Sequence, residues 1–347
     1  MSRFLIGRSR FLVGCLSLTV GCDGGVDSAG CRPNAPYGSA CAAEFEDTLD
    51  PDQWHLLVSS TPPVPGEGVA LEELALDFTP RWSHALDNDG SAGAVRRPDG
   101  QTWYARTSLP PDFGFSLEAI DSSGALLWSR TGDGLGSVGF LHGLVETPDG
   151  DLISADAVFG RVFASDIEGN LLWDLALANE GHMPNGLGIS VGDDGVTRLA
   201  ISQLQRNQNS SGDQVQVYRM GARDEPPTLE WTWPPAGLVE EGVWPHGPRF
   251  EADGTVVFCL AGAGRVVGVK DGVEQWRIPE GPPIFGFARD AVFLPDGSLL
   301  VAEAASEIVR VADPFGSFTV VDTVSTPGVF NLNPIDCSGD RPCFGLP

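Results

Sequence analysis

An all-β fold follows from three features of the 347-residue sequence: a tryptophan that returns about every 45 residues, an Asp-Gly pair between successive tryptophans, and short apolar runs flanking each pair. The tryptophans are Trp82, Trp128, Trp173, Trp231 and Trp276, spaced by 46, 45, 58 and 45 residues. The pairs between them are Asp99-Gly100, Asp149-Gly150, Asp194-Gly195 and Asp253-Gly254, and a fifth, Asp296-Gly297, follows Trp276. Asp-Gly between apolar runs signals a hairpin, because the turn needs positive φ and glycine adopts it without steric cost. The 44 glycines and 27 prolines suit a turn-dense sheet protein, and no stretch beyond the extreme N-terminus keeps a helical period.

Each unit has room for about four short strands. A four-stranded unit cannot bury both of its faces alone and is stabilised by packing on neighbours around an axis, which makes a single β-propeller. Five units are complete. A sixth four-stranded antiparallel blade is expected where Val329-Phe330-Asn331-Leu332 joins an N-terminal strand within Glu72–Phe78 that ends at Trp82. Sharing one sheet between the two termini closes the ring and removes an exposed edge. Six blades over residues 68–335 are therefore predicted, with five as the alternative.

The termini point to export. Arg3, Arg8 and Arg10 precede an apolar stretch from Phe11 to Gly21 that is too short to span a bilayer, so residues 1–21 read as a signal peptide. Thr19-Val20-Gly21-Cys22 resembles a bacterial lipoprotein processing site, which implies a lipid on Cys22 and an extracytoplasmic envelope protein. Residues 22–67, rich in Pro, Gly, Ser and Asp, read as a flexible tether, and residues 336–347 as a short tail. An oxidising compartment allows Cys31 to pair with Cys41 and Cys337 with Cys343, although spacing alone leaves the connectivity open. Cys259 lies in the apolar run Val256–Leu260 and reads as a buried small hydrophobe.

A formal charge of −26 repels phosphate backbones and anionic head groups, so no nucleic-acid partner is expected and membrane contact is expected only through the lipid. A monomer is expected.

Aligning the units on their turns exposes a second regularity. Seven residues before the aspartate stand His142, His246 and Arg289, with Ala92 in the first unit, while Asn185 stands two residues further upstream. The strand before the turn should be the innermost, so these side chains converge at one mouth of the central channel. Two residues earlier come Phe140, Met183, Trp244 and Phe287, which share a face with them by the strand period and form an apolar collar. Apolar walls around a few convergent polar groups are the usual make-up of a small-molecule site. Arg106, Asp156 and Glu303, seven residues after their turn aspartates, are expected near the same mouth beside the imidazoles. His55, His84 and His182 fall outside the aligned position and read as surface or loop residues.

Two segments carry a resemblance. Asp121-Ser122-Ser123-Gly124-Ala125-Leu126-Leu127-Trp128 and Asp166-Ile167-Glu168-Gly169-Asn170-Leu171-Leu172-Trp173 resemble the outer-strand signature of arylsulfotransferase-type and quinoprotein-type (PQQ-like repeat) propellers. The resemblance spans residues from about 74 to 322. It implies sulfuryl transfer from a phenolic sulfate through a channel histidine. By position, His246 is then the nucleophile, His142 the acid or base, and Arg289 with Asn185 the sulfate clamp, while Phe140, Trp244 and Phe287 hold the aryl ring.

Met183-Pro184-Asn185-Gly186-Leu187 is similar to the Pro-Asn-Gly segment of calcium-dependent propeller lactonases, but the other oxygen ligands are missing from equivalent places. Two histidines alone are an incomplete zinc site, so neither metal nor cofactor is expected. The expected ligand is a small aromatic or anionic molecule. The alternative is a non-catalytic propeller that binds a ligand or a protein partner, or scaffolds an envelope assembly.

Overall fold

The computed structural model describes residues 54–61, 70–86, 89–108, 114–131, 139–177, 181–205, 212–235, 243–304, 307–326 and 328–336. Cys22, Cys31, Cys41, Cys337, Cys343 and the segment read as a signal peptide lie outside the described residues. Among those described, no helix is long and apolar enough to cross a membrane.

Among the described residues, twenty-four strands form six antiparallel sheets of four. The first blade is β4 (Gly90–Arg96), β5 (Thr102–Ser108), β6 (Gly114–Ile120) and β7 (Leu126–Arg130); the second is β8 (Leu141–Glu146), β9 (Leu152–Asp156), β10 (Arg161–Ser165) and β11 (Leu171–Ala176). The third is β12 (His182–Val191), β13 (Thr197–Gln205), β14 (Gln214–Arg219) and β15 (Thr228–Trp233). The fourth is β16 (Pro245–Phe250), β17 (Val256–Leu260), β18 (Arg265–Lys270) and β19 (Val273–Ile278). The fifth is β20 (Ala288–Phe293), β21 (Leu299–Glu303), β22 (Glu307–Ala312) and β23 (Thr319–Ser325). The sixth joins both ends of the chain in the order β24 (Val329–Asp336), β1 (Trp54–Ser60), β2 (Leu71–Ala75), β3 (Pro80–His84).

The six-bladed expectation holds, with one boundary corrected. The sheet begins at Trp54, inside the stretch read as tether, because β1 pairs on one side with β24 and on the other with β2. Leu56, Leu57 and Val58 are fully buried there. A strand buried on both faces shows no alternation, and this one is flanked by turn-forming residues that hide it in composition.

The tryptophan of each repeat sits on the outermost strand of its blade, and the turn glycines take positive φ as the Asp-Gly signal requires, 84° at Gly150 and Gly254. The strand before each such turn is innermost, and β4, β8, β12, β16, β20 and β24 follow one another around the channel.

Glycines let these inner strands approach. A Cβ on Gly143 would come within 3.0 Å of the Leu187 amide nitrogen, and one on Gly186 within 2.9 Å of that of Gly247. Gly247 itself adopts φ 52° against the Arg289 carbonyl. At the fifth inner strand the glycine is replaced by Asp290, whose buried carboxylate accepts from the backbone of Leu332 at 2.7 Å and from Asn331 Nδ2 at 2.8 Å, tying β20 to β24. Asn333 Nδ2 donates to the Ala94 carbonyl on β4 and completes the ring.

Two histidines expected at the surface are interior. His55 is fully buried on β1 with its Nδ1 2.6 Å from Glu73 Oε1, while Arg96 Nη2 donates to Glu73 Oε2 at 2.9 Å. His182 is buried at the start of β12, with Nε2 3.1 Å from the Gly212 carbonyl. Burial of a polar group is tolerated where it finds hydrogen-bond partners, and both have one. Cys259 is free and buried in β17, as its apolar run implied.

Candidate functional site

Three of the four aligned polar residues are the extra residue of a β-bulge. On β8, Leu141 pairs with Asp156 and Gly143 with Ala155, which leaves His142 unpaired between them. Asn185 stands in the same way between Pro184 and Gly186, and Arg289 between Ala288 and Asp290. His246 is the last paired residue before the bulge at Gly247-Pro248. A bulge re-aims its side chain out of the strand's regular alternation. All four side chains line one channel cavity of about 380 Å³, together with Phe330. Ala92 falls in the corresponding bulge of β4 and contributes no polar group.

Asn185 bridges the two imidazoles. Its Nδ2 donates to the Pro245 carbonyl at 3.0 Å, and since a carbonyl can only accept, the orientation of the amide is fixed. Asn185 Oδ1 must then accept from His142 Nδ1, 2.7 Å away, which leaves the lone pair of His142 on Nε2. The same Nδ2 lies 2.8 Å from Nδ1 and 2.9 Å from Nε2 of His246. One ring nitrogen of His246 therefore accepts from Asn185, and the other carries the proton. Only 2% exposed, Asn185 has its amide committed to these partners, whereas the resemblance assigned it to a sulfate clamp.

Arg289 has no such partners. Its Nε and Nη1 are buried without a hydrogen-bond acceptor, and Cζ lies 4.1 Å from the Phe330 ring centroid and 5.3 Å from that of Phe287. The rings supply cation–π attraction but no acceptor. Burial lowers the guanidinium to about 10, which still leaves it a cation at neutral pH. Burial first, and the Arg289 charge second, push His142 down to about 3 against the opposing Asn185 hydrogen bond. The same two causes, joined by His142, hold His246 well below its ordinary range. The site is thus two neutral imidazoles beside one uncompensated cation.

A consequence for stability follows from linkage. His142 takes a proton at 6.5 in the unfolded chain and only near 3 in the folded one, so below pH 6.5 the unfolded state binds more protons. Stability is complete above that value and declines as pH falls from 6.5 towards 3, by an amount on the order of a few kcal/mol. Urea midpoints measured across this window should fall, and His142→Gln should flatten the fall.

The collar takes shape in two clusters. Phe140 meets His142 edge-on at 4.2 Å between centroids and approaches Phe115 at 5.9 Å and Phe330 at 6.1 Å. Across Arg289, Phe287 lies 5.6 Å from Trp244 and 5.7 Å from His246. Neither Phe140 nor Phe287 is buried between blades, and Trp244 is 45% exposed.

Asp156 and Glu303 were expected beside the imidazoles, and they hold backbone instead. Asp156 Oδ2 accepts from the Gly139 amide at 2.9 Å and Glu303 Oε2 from the Phe287 amide at 2.9 Å. Arg106 is drawn to Asp89, with Nε 2.6 Å from Oδ2. The strand alternation gave the right end of the blade for these residues but not the loop that feeds the inner strand, and that loop uses the carboxylates. Among the described residues, no group of three His, Cys, Asp or Glu side chains could hold a metal ion.

Phe330 was missed as a site residue. It occupies the second position of β24, as His142, His246 and Arg289 do in β8, β16 and β20. No Asp-Gly turn follows β24, so the alignment that found the others had nothing to align there.

Six four-stranded blades around a channel make this chain a six-bladed β-propeller. No family model and no curated protein matches it. Among solved structures it is similar to a putative 6-phosphogluconolactonase from Bacteroides fragilis, at 15% identity and a TM-score of 0.55 over 84% of this chain and 100% of that one. It is also similar to a protein of unknown function from Bacteroides caccae (13%, 0.55, 82% and 99%) and to the periplasmic gluconolactonase PpgL of Pseudomonas aeruginosa (15%, 0.54, 81% and 99%). At these identities the likeness shows the fold alone. It supports the propeller and does not single out the arylsulfotransferase or quinoprotein group.

Proposed function

We propose that this protein binds a small aromatic oxyanion at the channel mouth and, as an extracytoplasmic lipid-anchored enzyme, transfers a sulfuryl group from a phenolic sulfate through an imidazole. The observation that carries the reading is Arg289, whose Nε and Nη1 are buried with no acceptor in a chain of formal charge −26. A desolvated cation left unpaired is costly, and a bound oxyanion supplies an acceptor to one of these two donors, which lie on different edges of the guanidinium. The two aromatic rings near it, Phe330 and Phe287, suit an aryl group.

In this reading His142, rather than His246, attacks. Its Nε2 lone pair bonds to sulfur while the bond from sulfur to the aryl oxygen breaks, and the electron pair leaves on the phenolate. The sulfuryl group then resides on Nε2 of an imidazolium whose Nδ1 keeps its proton, donated to Asn185 Oδ1. His246 keeps a neutral N–H that can donate to the leaving oxygen without giving up its proton, and water protonates the released phenolate. A second phenol, having lost its proton to water, attacks sulfur as the phenolate and expels Nε2 of His142 as a neutral imidazole.

The same groups would serve lactone hydrolysis, with Nε2 taking a proton from water and Arg289 meeting the oxyanion. Two of the similar folds bear lactonase names, one of them as putative, which makes a gluconolactone the control substrate. Binding without turnover would leave a ligand-binding propeller.

Calorimetric titration with phenyl sulfate tests the shared premise. Wild type should bind it, and Arg289→Ala should lose about 100-fold in affinity, the scale of one charge-assisted hydrogen bond. Loss of an unpaired buried cation should also raise the thermal midpoint of the empty protein. No binding to wild type, or equal affinity in the variant, would overturn the reading.

A further inference from the structure

Trp244 stands in a backbone conformation its residue type disfavours. Its φ is 49°, the left-handed region in which a Cβ crowds the following carbonyl at a cost of about 1–2 kcal/mol. Such strain persists only where the surroundings impose it, and it gathers at functional positions. Here two hydrogen bonds impose it. The Trp244 amide donates to Asp213 Oδ2 at 3.0 Å, and its carbonyl accepts from the Ala261 amide at 3.1 Å. Asp213 is 2% exposed and belongs to the neighbouring third blade, where its Oδ1 accepts from the Gln205 amide at 2.9 Å.

The indole so fixed is not used for packing alone. Tilted against Phe287, it remains 45% exposed, while Phe287 reaches both His246 and Arg289. A large aromatic held out of the core, at a backbone cost, and separated by Phe287 from a cation that lacks an anion, presents a free face where the organic part of an anionic ligand would lie.

We propose that Trp244 is the specificity-determining wall that selects aryl over alkyl oxyanions, and that Asp213 is the positioning residue that holds it there. The inference rests on the anionic-ligand reading of Arg289. It adds that preference for the ring comes from the fourth-blade side of the site and is separable from affinity for the charge.

The test compares phenyl sulfate with methyl sulfate by calorimetry on the full protein and four variants. Wild type should favour phenyl sulfate, and Trp244→Ala should lose about ten-fold for phenyl sulfate while methyl sulfate is unchanged. Trp244→Phe should restore most of the loss, and Asp213→Ala should reproduce the Trp244→Ala pattern. Equal losses for both ligands, or an unchanged preference in Trp244→Ala, would overturn the inference while leaving the anion site standing. Failure of wild type to bind either sulfate, or unchanged binding of both by Arg289→Ala, would remove the anion reading and the inference with it.

Discussion

His142→Ala should lower turnover of p-nitrophenyl sulfate by about 1000-fold or more, whereas His246→Ala should cost about 10- to 100-fold. The asymmetry comes from Asn185. With its Nδ2 committed to the Pro245 carbonyl, its Oδ1 holds the proton on His142 Nδ1 and leaves Nε2 of His142 as the free base. His246, which accepts from the same amide, is left with an N–H and acts only by donating. In the proposed sulfuryl transfer, removing His142 deletes the attacking atom, while removing His246 deletes one donor. Because burial and Arg289 keep His142 neutral down to about 3, the kcat/KM profile for the proposed reaction should carry no limb near pH 6.5. Release of p-nitrophenolate by purified protein measures all three, and equal losses in the two variants would assign the attack elsewhere.

Asp290→Ala should destabilise the fold by about 3–5 kcal/mol, the range seen when one partner of a buried ion pair is removed. Its carboxylate is fully buried and accepts from Arg249 at Nε (2.9 Å) and Nη2 (2.5 Å), from Asn331 Nδ2, and from the amides of Ala291 and Leu332. These donors lie on β16, β20 and β24, so a single side chain joins the fourth and fifth blades to the strand that closes the ring. Arg249 also donates to the Leu332 carbonyl, so losing Asp290 leaves a cation near unpaired donors at the seam. Urea unfolding followed by tryptophan fluorescence reads the change. A cost below about 1 kcal/mol would show that closure depends on the backbone pairing of β24 with β1 rather than on this carboxylate.

Much of this architecture was legible in the sequence because propeller blades repeat. Tryptophan on the outer strand and Asp-Gly at the inner hairpin recur for the same geometric reason in each unit, so spacing alone located the inner strands. The aligned position was legible too. His142, Asn185 and His246 are followed by glycine because the next inner strand passes within contact of the bulge, and that dipeptide is what the alignment detected.

What escaped lacked a repeat. β1 is buried on both faces and embedded among turn residues, so neither alternation nor composition marked it. Phe330 precedes no Asp-Gly turn, and Asp213 reaches Trp244 across 31 residues and a blade boundary. The tautomers could not be read from residue types, since they depend on which way one amide faces. His55 and Arg96 are polar residues whose burial becomes sensible only once Glu73 is placed between them.

A crystal structure of the protein soaked with p-nitrophenyl sulfate would show whether Arg289 and His142 meet the ligand. A sulfate oxygen is expected on Arg289 Nε or Nη1, with sulfur facing His142 Nε2 and the ring against Trp244 and Phe287. Sulfate bound away from Arg289, or a guanidinium that stays without an acceptor at saturating ligand, would contradict it.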